Sequence, residues 1–517
     1  MSKQLPSTQR DVEALSLDSE CSKGSQFNLR KLAQFVTTLG LLVTGYQYLW
    51  HPRAHSTDVC IETSSPEAIS EEHRLEDFQQ CAIENLLQTG LPFLQKASPI
   101  TTSEFQERRD RLAQALVAED VDAFVVEPGY TFKYYGNVSQ PEWEVWEPEE
   151  RPFLMIVRPT LDQTTGQVKA NTTFLCPSFE AERARLLGMP FTEDLQIVPW
   201  EEHWDPYNTL QQSEVFLGVS RVPRLMVDEE MRDFIQRGLG SAGFDVIGLR
   251  GRVEEVRQIK STSEVEILRA VNTGTVEAVR QMRRCLYPGL TENEIATVLD
   301  NTLRAAGMEP FFDIVLFDED ASNPHGGTDG ERLLEAETFV LIDVGLVCTV
   351  SWTPFSISDL YGRAHLYGYS SDICRTFFPP FLEKPSKDAP LSPNLNEKLK
   401  VWDIVFEAQT QSIHQMRENL TAASVDVAAR QVITEAGYGA TLTHRVGHGI
   451  GIKAHESPYL NKGNRGTLLK TGMTFTSEPG IYLVDKFGVR HEDILLVQGN
   501  EEPQLLTGTR AQGPWEP

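Results

Sequence analysis

Four of the eleven histidines in this 517-residue chain fall between positions 444 and 491, interleaved with carboxylates. The run His444-Arg-Val-Gly-His448-Gly-Ile-Gly-Ile-Lys-Ala-His455-Glu456 is followed by Ser-Glu478-Pro-Gly and by Val-Arg490-His491-Glu492-Asp493. Upstream stand His325 in Asn-Pro-His-Gly, Asp343 in Leu-Ile-Asp-Val-Gly, and Asp372 in Tyr-Ser-Ser-Asp-Ile-Cys-Arg-Thr-Phe. Imidazoles and carboxylates in this company suit divalent metals of borderline hardness and the proton transfers such metals support. The seven cysteines (21, 60, 81, 176, 285, 348 and 374) contain no CxxC pair and no zinc-ribbon spacing, which argues against a thiolate metal site.

Taken in order, these motifs resemble those of the pita-bread metallopeptidases, in the Xaa-Pro aminopeptidase and prolidase branch. The resemblance spans about residues 99–500 and implies an α/β creatinase-like N-terminal domain followed by an α+β pita-bread catalytic domain. By it, Asp343, Asp372, His448, Glu478 and Glu492 are the ligands of two divalent metal ions, with Asp372 and Glu492 bridging. Manganese is the leading candidate, with cobalt and zinc as alternatives. The residue types agree independently, because one imidazole among four carboxylates is an oxygen-rich set, and four crowded acids repel one another without cations. Two such metals about 3.5–4 Å apart share and acidify one water, whose hydroxide is the nucleophile.

The same resemblance gives the catalytic set Glu478, His455, His325 and Arg490. Glu478 moves the proton to the leaving nitrogen. His455 and His325 donate to the scissile carbonyl as it becomes an oxyanion. Arg490 and His444 hold substrate or ligand carboxylates, so His325, His444, His455 and Arg490 form the substrate-binding group. The implied activity is hydrolysis of the Xaa-Pro imide bond in dipeptides or at peptide N-termini, a bond with no N–H to grip.

Blander roles stand beside these. Arg490 is read equally as a plain salt-bridge partner, and for His325 and His455 a structural hydrogen-bond role is the lesser alternative. His491 is a core or surface histidine, because strand alternation points it away from Glu492. Gly447, Gly449 and Gly451 permit tight turns, and Asp493 and Glu456 are solvated or lie behind the ligands. The competing functions are a metal-dependent hydrolase or lyase on a small non-peptide molecule, and a non-catalytic peptide-binding module. Lost ligands would mark the latter, and none is lost.

The first two aspartates depart from the family pattern. Ten residues separate them in the family, on adjacent strands of a hairpin, whereas twenty-eight lie between Asp343 and Asp372. Removing residues 347–364 restores the interval. Eighteen codons make a frame-preserving length, so a translated intron is the leading reading and a genuine hairpin-tip loop the alternative. A segment that entered the strands would slip their register and part the aspartates.

The elements that must position these groups are read from composition and periodicity. The formal charge of −27, from 47 basic and 74 acidic residues, disfavours nucleic acid as a partner. Peptides are the implied partners, and a homodimer is left open. Residues 1–31 carry five basic residues and are expected to be a cytosolic tail. Residues 32–50 carry no charge and are expected to be a single transmembrane anchor. That places the catalytic domain in a lumen, vacuole or extracellular space, where Cys60 and Cys81 form a disulfide or stay as thiols. The triplets beginning at Asn137, Asn171 and Asn419 are weakly consistent with such a compartment.

Residues 51–98, acidic and Ser/Glu-rich, are expected to be a stalk with little structure. Residues 99–257 alternate β-rich runs (Val121–Val126, Phe153–Val157, Thr172–Leu175, Leu225–Val227) with charged periodic segments, an α/β unit. The catalytic domain is placed at 258–505. It opens on two helices capped by Ser263-x-x-Glu266 and Thr291-x-x-Glu294, and its strands run over Phe339–Val344, Phe475–Ser477 and Ile494–Val497.

Overall fold

The structure is a computed structural model that describes residues 66–143, 150–348, 368–386 and 388–517. Residues 67–517 form one compact unit. Within it, a six-stranded sheet gathers β1 (Ala123–Val126), β2 (Leu154–Leu161), β3 (Val168–Pro177), β4 (Gln196–Trp200), β5 (Arg224–Val227) and β6 (Asp245–Gly248) in the order β4-β3-β2-β1-β5-β6. β1–β2 and β2–β3 pair antiparallel, and the remaining neighbours pair parallel. The apolar runs of the sequence become its buried centre, with Phe124, Met155, Phe174 and Met226 at or below 1% exposure.

The C-terminal half is built from antiparallel sheets. β7 (Met308–Phe317), β8 (Val340–Cys348) and β9 (Ile373–Phe377) form one sheet. A second sheet has the order β11-β10-β12-β15-β16, from β10 (Gly447–Gly449), β11 (Glu456–Leu460), β12 (Thr474–Ser477), β15 (Asp493–Leu496) and β16 (Gln504–Leu505). β13 (Gly480–Leu483) and β14 (Phe487–Arg490) make a hairpin. Helices Thr262–Arg283, Glu292–Ala305, Pro393–His414 and Ala422–Glu435 supply apolar faces to these sheets. The first capping box is Ser261 with Glu264, two residues before the expected pair, and the second is Thr291 with Glu294 as expected.

Three expectations are corrected. No helix among the described residues is long and apolar enough to cross a membrane. The anchor at 32–50 lies outside the described residues, and its three threonines, two glutamines and two glycines dilute its hydropathy. The membrane-anchored, lumenal placement is overturned with it. Second, the expected stalk contains the helix Pro66–Gln88. Phe78, Ala82 and Leu86 recur every four residues and are buried with Val276, Val279 and Val298, a stripe hidden in an acidic composition. Third, Cys81 pairs with Cys285, stapling that helix to the end of Thr262–Arg283. Cys60 lies outside the described residues.

The extra length between the aspartates does not disturb the hairpin. β8 and β9 pair in register from Val340↔Phe377 to Val344↔Ile373, and Val347 and Cys348 still pair with β7. Residues 349–367 lie outside the described residues. The chain then re-enters on fixed points: Tyr369 OH donates to Glu264 (2.8 Å) and accepts from buried Arg108 (3.0 Å). Thr275 Oγ1 donates to Ser371 (2.8 Å), and the Asp372 N–H donates to Asn272 Oδ1 (3.2 Å). Asp372 is therefore held by the helix beneath it, whatever the length of chain before it.

Candidate metal centre and active site

Register alone brings three of the acids to one face. Asp343 lies opposite Cys374, and Cys374 bridges in turn to Glu492, whose N–H donates to the Cys374 carbonyl (3.0 Å). Directly opposite residues share a face, and Asp372, two positions before Cys374, shares it too. Ligand atoms of Asp343, Asp372 and Glu492 lie within 4.8 Å of one another, as do those of His448, Glu478 and Glu492. His448 Nε2 is 3.3 Å from Glu478 Oε1 and 3.6 Å from Asp372 Oδ2.

His448 comes from β10, which is squeezed between β11 and β12. A Cβ on Gly447 would sit 2.2 Å from the Thr476 carbonyl oxygen, and one on Gly449 2.7 Å from that of Glu456. Both glycines therefore admit close strands rather than turns. The His448 N–H donates to Thr476 Oγ1 (3.1 Å), and its Nδ1 faces the Gly449 carbonyl at 3.1 Å. That contact puts the proton on Nδ1 and leaves a lone pair on Nε2, directed at the carboxylates.

The residues present fit divalent cations. Asp343 Oδ1 and Glu492 Oε1 are buried without hydrogen-bond partners, and the His448 lone pair faces two more carboxylates. Acceptors thus converge on acceptors, a costly arrangement that only protons or cations relieve. Burial first, then neighbouring acids, pushes Asp372 and Glu492 well above the usual carboxylate range and Glu478 up to about 8. Burial likewise holds His448 well below the ordinary histidine value. A third group, Asp372, His448 and His455, overlaps the two groups above, so the acids and imidazoles form one continuous cluster.

A cavity of about 530 Å³ opens over this cluster, lined by all five ligand candidates, by His325, His444 and His455, and by Phe312, Ile314, Arg445 and Asn461. His455 is half-exposed at its edge, with Nε2 3.5 Å from Asp372 Oδ2 and its ring 4.0 Å from that of His448. His325, on the loop after β7, is exposed and reaches the same space.

Arg490 is not among the lining residues. It is 1% exposed, donates to Asp343 Oδ2, and also donates to the Pro324 carbonyl (3.0 Å) and Tyr482 OH (2.8 Å). It ties Asp343 to the His325 loop from behind. Tyr482 OH in turn meets His444 Nε2 at 2.8 Å, while His444 Nδ1 faces the Arg445 carbonyl at 2.7 Å. Burial, then Arg490, lowers the His444 pKa to about 4, so this ring is neutral near pH 7.

Tyr482, Arg445 and Thr476 are the participants that motif reading passed over. Tyr482 follows Glu478-Pro-Gly-Ile, and its place on a short strand next to a ligand candidate was the available signal. Asp493 and Glu456 are buried rather than solvated. Asp493 accepts from Arg375 (2.7 Å) and Gln409 (3.0 Å), and Arg375 also donates to the Glu492 carbonyl (2.6 Å). His491 is a core residue whose ring packs edge-on against Trp402 at 4.5 Å.

Comparison with known proteins agrees with this architecture. The sequence model of metallopeptidase family M24 matches residues 266–353 and 360–499, breaking inside the extra segment. An uncharacterized peptidase of Schizosaccharomyces pombe is 38% identical over 444 residues, covering 85% of this chain and 88% of the relative. A solved dipeptidase from Pyrococcus horikoshii is 27% identical, with a TM-score of 0.60 over 78% of this chain and 98% of its own. A prolidase from Thermococcus sibiricus is 25% identical, with a TM-score of 0.61 over 79% of this chain and 98% of its own. With the acid cluster, the cavity and these relatives in agreement, the chain belongs to metallopeptidase family M24.

Proposed function

We propose that this metallopeptidase is an exopeptidase that hydrolyses the Xaa-Pro imide bond of dipeptides or of peptide N-termini. The observation that carries the reading is the set of buried, partnerless acceptors, Asp343 Oδ1, Glu492 Oε1 and the His448 lone pair, on the floor of a peptide-sized cavity. Asp343, Asp372, His448, Glu478 and Glu492 would hold two divalent ions, for which this oxygen-rich set favours manganese or cobalt, with zinc also accommodated. When bound, such ions supply Lewis acidity and a water acidic enough to attack at neutral pH.

The chain's own groups do the rest. Glu478, at the cavity wall beside His448, accepts the proton of the attacking water and passes it to the leaving nitrogen. His455 and His325 face the space where the scissile carbonyl lies and donate to its oxygen as charge develops. Arg490 fixes Asp343, and Tyr482 with His444 continues that network to the wall. A tertiary amide offers no N–H, and the wall asks for none: Phe312 and Ile314 present apolar surface suited to a pyrrolidine ring.

The direct test is hydrolysis of Xaa-Pro dipeptides and Xaa-Pro-Yaa tripeptides by the metal-loaded full chain, with non-proline dipeptides as comparison. The protein must retain the helix Pro66–Gln88, because its Phe78, Ala82 and Leu86 are part of the core. Turnover selective for proline after the scissile bond supports the reading, and turnover of non-proline dipeptides alone replaces it.

A further inference from the structure

None of the residues lining the cavity comes from the six-stranded sheet, yet that sheet reaches the stretch that carries His455. Residues 450–455 join β10 to β11. The stretch is held at its start, where Ile450 and Ile452 are buried and the Ser370 N–H donates to the Gly451 carbonyl (2.9 Å). Its end is held at buried Glu456 by Lys260 and Arg257. Between these points, among the described residues, no backbone–backbone hydrogen bond is donated by Lys453, Ala454 or His455. The His455 ring does not fix itself either. Its nitrogens lie 3.5 Å from Asp372 Oδ2 and 3.5 Å from Arg445 Nη2, at the outer limit of hydrogen bonding. Where those nitrogens sit is therefore decided by the backbone that carries them.

One side chain of the stretch is anchored. Lys453 Nζ lies 2.6 Å from Glu230 Oε1 and 3.2 Å from Glu229 Oε1, between two carboxylates on the turn that follows β5. That turn is itself well tied. Met231 is buried and its N–H donates to the Asp228 carbonyl (3.2 Å), and the Arg232 N–H donates to Glu127 Oε1 (2.7 Å) just after β1. Glu229 also accepts from Arg257 (3.2 Å). Lys453 is two residues from His455, at most about 7 Å along the chain. Ion pairs open to solvent in this way add little to stability. Their geometry matters more, because a donor displaced by about 1 Å from its productive place costs up to about 100-fold in rate.

We propose that Glu229 and Glu230 position His455 through Lys453, so that the N-terminal sheet sets the turnover of a site it does not line. This rests on the carbonyl-donor role given to His455 above, though the hydrogen-exchange arm of its test does not. The charge of Lys453 also acts on His455 directly. A role through charge alone would survive loss of the two acids, whereas positioning would not.

The experiment measures kcat, KM, metal content and Tm of the metal-loaded full chain for wild type, Lys453→Met, Lys453→Arg and the double variant Glu229→Gln/Glu230→Gln. It repeats Lys453→Met in a His455→Ala background. The substrate is whichever of Ala-Pro and Ala-Ala the wild type cleaves faster, so the comparison does not depend on proline. Hydrogen exchange read by mass spectrometry follows residues 450–456. K453M is expected to lower kcat by about 5–50-fold, with KM changed less than about threefold. The double variant should lower kcat in the same way, and K453R should recover part of the loss. In the H455A background, K453M should change kcat by less than about twofold. Exchange over 450–456 should quicken in K453M, with metal content unchanged and Tm within about 3 °C of wild type. Wild-type kcat in K453M or in the double variant, or the same fold loss with and without His455, would overturn the proposal. So would exchange that stays at the wild-type rate. If H455A keeps the wild-type kcat, or neither dipeptide is cleaved, the reading of His455 or of the substrate fails and the exchange rate alone decides Lys453.

Discussion

Two clusters of buried charge meet at consecutive residues, His455 and Glu456, and they are built on opposite rules. On the Glu456 side every acid faces a cation: Lys260 donates to Glu456, Arg257 lies 3.3 Å from it, and Arg257 and Lys453 both reach Glu229 at 3.2 Å. On the His455 side acids face acids, and two of their oxygens have no partner. A closed cluster needs nothing more and serves to fix the chain, here the start of β11 against the segment before Thr262–Arg283. An open cluster of like charge is retained only if something enters to complete it. The sign of the facing charge, more than burial or the count of hydrogen bonds, separates the scaffold from the site: Glu456 Oε2 also lacks a hydrogen bond, but it faces Arg257 at 3.3 Å.

The sharpest way to break the comparison is to alter one group on the open side. Glu478→Gln is expected to lower kcat of the metal-loaded enzyme by about 10²–10⁴-fold, the range for loss of a positioned acid–base group, with an unchanged circular dichroism spectrum. Activity within about tenfold of wild type would assign the proton transfer to another group.

The matching change on the closed side should act on stability. Lys260→Met leaves Glu456 short of a buried partner and is expected to cost about 3–5 kcal/mol in denaturant unfolding. Metal content should stay as in wild type. Loss of metal without loss of stability would merge the two clusters into one.

Removing the metal gives a pH signature. In the metal-free protein Glu478 sits at about 8 against an ordinary 4.5, raised by burial first and then by Asp372. A group raised in the folded state contributes its stability fully below the unfolded value and loses it as pH rises through the folded one. That window is about 4.5 to 8, and Asp372 and Glu492 shift in the same direction. The gain in Tm on adding metal is therefore expected to be larger at pH 8 than at pH 5. Thermal scans at equal free metal concentration check this, and equal gains contradict it.

The smallest effect is predicted for excising residues 347–364. Because the β8–β9 register from Val340 to Val344 and the Asp372 anchor at Asn272 lie outside the excised stretch, which takes only the Val347 and Cys348 pairings with β7, stability should change by no more than about 1–2 kcal/mol. Activity should be retained. Loss of metal binding in the excised protein would mean that the segment takes part in the site. Sequencing of the transcript separately decides the intron reading, which full-abundance reads containing those codons would end.

What could be read from the sequence, and what could not, follows the same physical division. The five ligand candidates were legible because each combines a metal-competent side chain with a local motif, and their order is specific. The strands that carry Asp343 and flank Glu478 and Glu492 were legible from their β-rich runs. The helix Pro66–Gln88 was not, because its Ser/Glu-rich composition outweighs the four-residue spacing of Phe78, Ala82 and Leu86. The Cys81–Cys285 pairing was not, since connectivity over 204 residues depends on tertiary packing. The cap was displaced because Ser261-Thr-Ser-Glu264 and Ser263-Glu-Val-Glu266 both fit the same short pattern. Arg490 was left between two roles, and only its three hydrogen bonds show it holding Asp343 from behind. Arg445 and Tyr482 matter through what lies opposite them after folding, which no spacing along the chain records.

The most direct measurement is the metal content of the purified full chain by elemental mass spectrometry, beside Asp372→Asn and Glu492→Gln variants that keep the wild-type fold. Close to two equivalents of divalent transition metal in wild type, falling sharply in both variants, is the predicted result. A wild-type protein that binds no such metal when supplied with manganese, cobalt or zinc, or variants that keep the full complement, would contradict it.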